Sequence, residues 1–218
     1  MFIKMRNPVR YFLGLERKDQ RMIFIMLTAV TNVMMFVYNL TFGVINMSLW
    51  MLINAVFYFV IIISRYLSLK NYGKSKRAKN EVEAQEMARA DYRNTGILLI
   101  VLALVYALAG AYMFNSAIEH DLHEYAIYGT AFMAFWSLGF SIAGIIKYKK
   151  NTNLIVRAAV LTSLAVAITA IVATQEALLS RFGGGENYAQ INGAAGWIAS
   201  VIIFIMGICM ILTSRKHI

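Results

Sequence analysis

Glu176 and Arg157 are the two charged residues in an otherwise apolar run from 154 to 179. A carboxylate in such surroundings is a handle for a proton or a cation, because an ionisable group inside a membrane is costly unless a function or a partner holds it. The same residue near the end of a span can instead be a water-exposed cap close to Arg181. Uncharged polar groups interrupt the other apolar runs: Tyr38 and Asn39, the i, i+4 pair Asn54 and Tyr58, and Thr162. Brought together, they would make a neutral pocket better suited to an alkali ion or a small polar solute than to a transition metal. Kept apart, each would only hydrogen-bond across a helix contact, for about 0.6 kcal/mol. A further cluster, "EHDLHE" at 119–124, offers His120, Asp121 and His123 for capture of a divalent cation or for titration near pH ~6.5. A solvated loop marking the outer face has the same composition, and both readings stay open. There is no Ser/His/Asp set, no Cys/His ligand cluster, no nucleotide fingerprint and no pair of carboxylates in mid-span, so neither an enzyme nor a bound cofactor is expected.

These groups have to be positioned by helices in a bilayer. Apolar residues make up 60% of the 218-residue chain, against roughly half in soluble domains, and the mean hydropathy is +0.61. Runs long enough to cross about 30 Å of hydrocarbon occur at 22–45, 48–69, 94–115, 124–147, 154–179 and 191–213. They predict an all-α, polytopic membrane domain of six transmembrane helices over 22–214, with the lipid bilayer as its surroundings and no room for a soluble catalytic unit. Residues 1–21 interleave Phe2, Ile3, Met5, Val9, Phe12 and Leu13 with Lys4, Arg6 and Arg10. That pattern suits a retained amphipathic segment at the cytoplasmic interface. The single cysteine, Cys209, falls in the last run, so no intrachain disulfide is available.

The basic residues orient the spans. Threading six spans places all 21 Lys and Arg on one side except Arg181, with Arg65 to Arg93, Lys147, Lys149, Lys150, Arg157, Arg215 and Lys216 joining the N-terminal group. Cytoplasmic loops carry the Lys/Arg excess, so both termini are expected in the cytoplasm and the protein in the plasma membrane. The net charge of +10 is then a topology signal, and no nucleic-acid partner is needed to explain it. The loop at 70–93 is the largest soluble piece, and from Lys79 its charge spacing favours a helix that begins before the third span.

Arg157 follows "KYKKNTN", so a helix starting near Asn153 puts it about one turn inside the boundary, where a long side chain can reach the headgroups. Glu176 is 19 residues further along the same helix, roughly 28 Å away. The two cannot pair.

The stretch "NLIVRAAVLTSLAV" (153–166) resembles the fifth-helix entry of the cation diffusion facilitators, in which Arg-Ala-Asp is followed by metal-binding His and Asp. "TNVMMFVYNLTFGVINMSLWMLINAVFYFVI" (31–61) resembles the first two helices of that family, with Gly43, Ser48 and Asn54 at comparable places. The resemblance implies six spans, both ends inside, and a homodimer. It also implies that the zinc chemistry is lost. The family's ligand positions fall on Phe57 and Ile61 in the second helix and on Thr162 and Val166 in the fifth, and the Asp after Arg-Ala is Ala159. Zinc requires Cys, His or carboxylate, and these positions supply none. The family's cytoplasmic metal-sensing domain is not expected within these 218 residues. The chain is also similar to small six-span proteins of Gram-positive bacteria.

"YNLTFG" (38–43) and "WSLGFS" (136–141) echo one another, as the halves of an inverted repeat would. Coincidence in apolar sequence produces the same echo. Small residues at Gly193, Gly196 and Ser200 permit close helix approach and mark a packing or dimer face. The expectation is a transporter-like protein moving an ion other than zinc, or a small polar solute. A membrane protein that binds or stabilises a partner without transporting anything is the alternative.

Overall fold

The computed structural model describes residues 17–78, 80–116, 124–148, 153–182 and 188–216. The described residues form six helices: α1 (Arg17–Ile45), α2 (Leu49–Ser75), α3 (Glu81–Ser116), α4 (Glu124–Tyr148), α5 (Leu154–Phe182) and α6 (Tyr188–Lys216). Each is long and apolar enough to cross a membrane. Among the described residues the fold is all-helical, that of a multi-pass membrane protein. α3 is 36 residues long, about 54 Å at 1.5 Å per residue, so its first turns extend beyond a 30 Å hydrocarbon layer. The segment 1–16 and the "EHDLHE" residues His120, Asp121 and His123 lie outside the described residues.

α5 sits at the centre. In it 72% of the span is buried, whereas the other spans bury 28–44%. The cause is its composition: Ala158, Ala159, Ala165, Ala167, Ala170, Ala173 and Ala177 are all buried, and small side chains let neighbouring helices close in where lipid offers no hydrophobic drive for association. The other helices turn residues such as Val30, Met34, Phe132, Phe135, Ile198 and Val201 outward, as lipid-facing surfaces do.

α3 and α6 form an antiparallel pair at two glycine crossings. A Cβ on Gly96 would lie 2.9 Å from the Gly207 carbonyl oxygen, and one on Gly207 would lie 2.7 Å from the Gly96 oxygen. Nearer the other end of the pair, a Cβ on Gly110 would lie 3.0 Å from Gly193 O, and one on Gly193 would lie 2.8 Å from Gly110 O. The small-residue face of α6 is therefore spent inside the protomer, with Gly193 against α3 and Gly196 against the Trp50 ring. Ser200 donates to its own helix at Trp197 O.

α1 turns into α2 through a Schellman motif. Ser48 N–H donates to Gly43 O at 2.9 Å, Met47 N–H donates to Val44 O at 3.4 Å, and Ser48 Oγ caps α2 by accepting from Met51 N–H. Met47 occupies the left-handed position of that motif, at φ 50°, where glycine is normally required. Its side chain is 85% exposed, so nothing offsets the strain. Met47→Gly is expected to raise stability by about 1 kcal/mol, read as a higher unfolding midpoint in detergent; an unchanged or lower midpoint would contradict this.

Where α2 meets α3, the buried carboxylate of Asp91 accepts from Ser68 Oγ at 2.9 Å and from Asn71 Nδ2 at 2.8 Å. Both oxygens are satisfied, so Asp91 is a structural clamp. Arg157 lies over the Tyr92 ring at 5.9 Å, one turn into α5, whose start is capped by Asn153 Oδ1 accepting from Ile155 N–H at 2.9 Å.

Candidate functional site

The polar residues of α5 fall on two adjacent stripes. Thr162, Thr169 and Glu176 recur every seven residues, nearly two turns, and so share a face. Ala159 and Ser163, one turn apart, face α2 and receive Arg65. All of these are buried. From Ser163 to Glu176 is 13 residues, about 20 Å, so the stripes cover two thirds of a hydrocarbon layer.

Near the end of α5 that leads to α6, Glu176 is 5% exposed and its Oε1 has no hydrogen-bond partner among the described residues. This excludes a water-exposed cap. The indole N–H of Trp50 lies beside the carboxyl without closing a hydrogen bond. Trp50 packs against Tyr106 with ring centroids 5.0 Å apart and the ring planes tilted at 57°. Tyr106 donates to Asn54 Oδ1 at 3.2 Å, and Asn54 Nδ2 donates to its own helix at Trp50 O. Tyr58, one turn along, hydrogen-bonds Thr169 of α5. Asn192 is buried, and among the described residues neither its Nδ2 nor its Oδ1 is bonded. It sits one turn from Gly196, on the α6 face that meets Trp50.

Of the residues singled out by sequence, Asn54, Tyr58 and Glu176 therefore belong to one buried system, organised by α2 and α5, and Thr162 lies on the same α5 face without a bond to it. Tyr38 and Asn39 do not join it through hydrogen bonds: Tyr38 pairs with Thr130 Oγ1 of α4 at 3.0 Å, and Asn39 Nδ2 donates to Met35 O. Thr162 gives its proton to Ala158 O. Phe57, Ile61, Thr162 and Val166 are all buried between helices, and the phenyl ring of Phe57 meets Tyr58 and Tyr106 edge-on. Among the described residues no group of three His, Cys, Asp or Glu could hold a metal ion.

The structure adds residues that sequence reasoning did not place. Arg65, counted above with the basic residues of the cytoplasmic side, is 2% exposed inside the bundle. It lies four residues before the end of the apolar run 48–69, about 6 Å, and its head turns inward to α5. Its Nη1 donates to Ala159 O at 2.8 Å and its Nη2 to Ser163 Oγ at 2.5 Å. Trp50, Tyr106 and Asn192 are equally unannounced by spacing. The available signal was that Arg65 lies within the apolar run 48–69 and not after it.

No protein-family model matches the chain, and no curated protein matches it.

Proposed function

We propose that the protein is a small secondary transporter whose path follows the polar stripes of α5, with Glu176 as the proton or cation handle at one end. The observation that carries this reading is the set of buried polar atoms left unbonded there: Glu176 Oε1, Trp50 Nε1 and both side-chain atoms of Asn192. A buried polar atom without a partner costs about 1–3 kcal/mol, and several together are retained where a ligand or proton supplies the missing bonds. Support also comes from the pairing of the two halves of the chain, in which α1 packs on α2 as α4 packs on α5 while α3 pairs with α6. This is the arrangement that an inverted repeat would generate. The resemblance to cation diffusion facilitators fits such a scaffold without its zinc ligands. By the Lys/Arg bias the termini face the cytoplasm, which puts Glu176 toward the outside of a plasma membrane. Any homodimer would need a surface other than the glycine face of α6.

The test is charge movement in proteoliposomes under imposed proton, sodium and potassium gradients. A saturable signal, reduced more than tenfold in Glu176→Gln, is expected. A signal of the same size in wild type, Glu176→Gln and empty liposomes would contradict the proposal and favour the alternative, a membrane protein that binds a partner through its outer surface.

A further inference from the structure

Arg65 carries a positive charge into the bundle, and among the described residues its guanidinium bonds only a carbonyl and a hydroxyl, with no carboxylate paired to it. Two of its nitrogens are bonded to α5, and the third, Nε, has no acceptor. It lines a narrow cavity between α1, α2, α4 and α5 together with Thr31, Asn32, Ser137, Ser141 and Ser163. Asn32 is 3% exposed, and its Nδ2 also lacks an acceptor. The two buried orphans of this cavity are thus both donors, and one belongs to a cation.

That inventory defines the ligand. A group that only accepts hydrogen bonds and carries negative charge would satisfy Arg65 Nε–H and Asn32 Nδ2–H and neutralise the guanidinium. The hydroxyls of Thr31, Ser141 and Ser163 donate to Leu27 O, Ser137 O and Ala159 O. These are intrahelical carbonyls already bonded to their own helix amides, so each hydroxyl can rotate to an incoming anion at small cost. A cation is excluded by Arg65. Size narrows the choice further: the cavity has room for about one water molecule, so a halide, itself larger than water, enters only with the hydroxyls turned aside. A phosphate or a carboxylate-bearing solute exceeds that.

We propose that Arg65 and Asn32 form a binding site for a small monovalent inorganic anion of chloride size. It lies at the opposite end of the α5 stripes from Glu176. The proposal does not depend on transport, because a purely structural anion would neutralise Arg65 equally well.

The experiment follows the thermal unfolding midpoint of the full chain in a neutral detergent. Chloride or bromide is titrated against gluconate, which is too large for the cavity, at constant ionic strength. A saturable rise of about 5 °C with chloride and bromide is expected. The rise should vanish in Arg65→Met and in Asn32→Leu, the second variant keeping the test decisive if the first misfolds. Line broadening of the 35Cl NMR signal by wild type, reversed by bromide and lost in Asn32→Leu, reads the same binding directly. A midpoint indifferent to the identity of the anion would overturn the proposal, leaving the cavity to a water molecule. So would an equal chloride response in wild type and both variants.

Discussion

Gly207→Leu is expected to destabilise the protein by about 3 kcal/mol, the largest effect of any single substitution considered. A Cβ at this position meets the Gly96 carbonyl oxygen and Ile100 Cγ1, both at 2.7 Å, and Ile100 N at 3.2 Å. Two of these three obstacles are backbone atoms, so no rotamer change relieves the clash. α3 and α6 would have to separate, and with them the Gly110–Gly193 crossing further along. Gly73→Ala and Gly139→Ala are the controls, since nothing lies within 4 Å of either Cβ position. There the loss of glycine's backbone freedom should give no destabilisation. Unfolding midpoints in a mixed detergent titration read all three, and a Gly207→Leu protein as stable as the controls would refute the α3–α6 crossing.

The second large effect has opposite signs in two assays. Glu176→Leu is expected to raise stability by about 1–2 kcal/mol, because it removes a buried carboxyl whose Oε1 has no partner and replaces it with an apolar group of similar size. The same variant should abolish transport. A residue held only for packing would behave in the reverse sense, with stability falling and function following it down. If Glu176→Leu lowers the unfolding midpoint, the carboxyl contributes to the fold and its role as a handle loses its support.

The six helices were legible because apolar runs of span length have few alternatives in 218 residues. The start of α5 at Leu154 and its cap at Asn153 follow from residue type alone. What stayed hidden is whatever depends on partners distant in sequence. Arg65 sits near the end of an apolar run, where arginines ordinarily extend to headgroups; only the approach of Ala159 and Ser163 from α5 turns it inward. Gly193 and Gly196 were readable as a close-packing face, but not that α3 and Trp50 occupy it. Tyr38 and Asn39 look like Asn54 and Tyr58 in a list of polar residues. They separate from them because α1 directs Tyr38 to α4 and lets Asn39 bond its own helix. Composition records which polar groups are in the membrane, and their grouping comes from helix rotation.

A transport path along the polar stripes of α5 would open to water from each side in turn. Cysteine placed at Thr169, which is fully buried between Glu176 and Ser163, tests it in proteoliposomes with the exposed Cys209 first replaced by alanine. Labelling by a membrane-impermeant thiol reagent from the outside and, in inside-out vesicles, from the opposite side is the predicted result, faster than at a lipid-facing control such as Val201. A thiol at 169 that stays unreactive from both faces, in a protein that is folded, would contradict a path through the bundle.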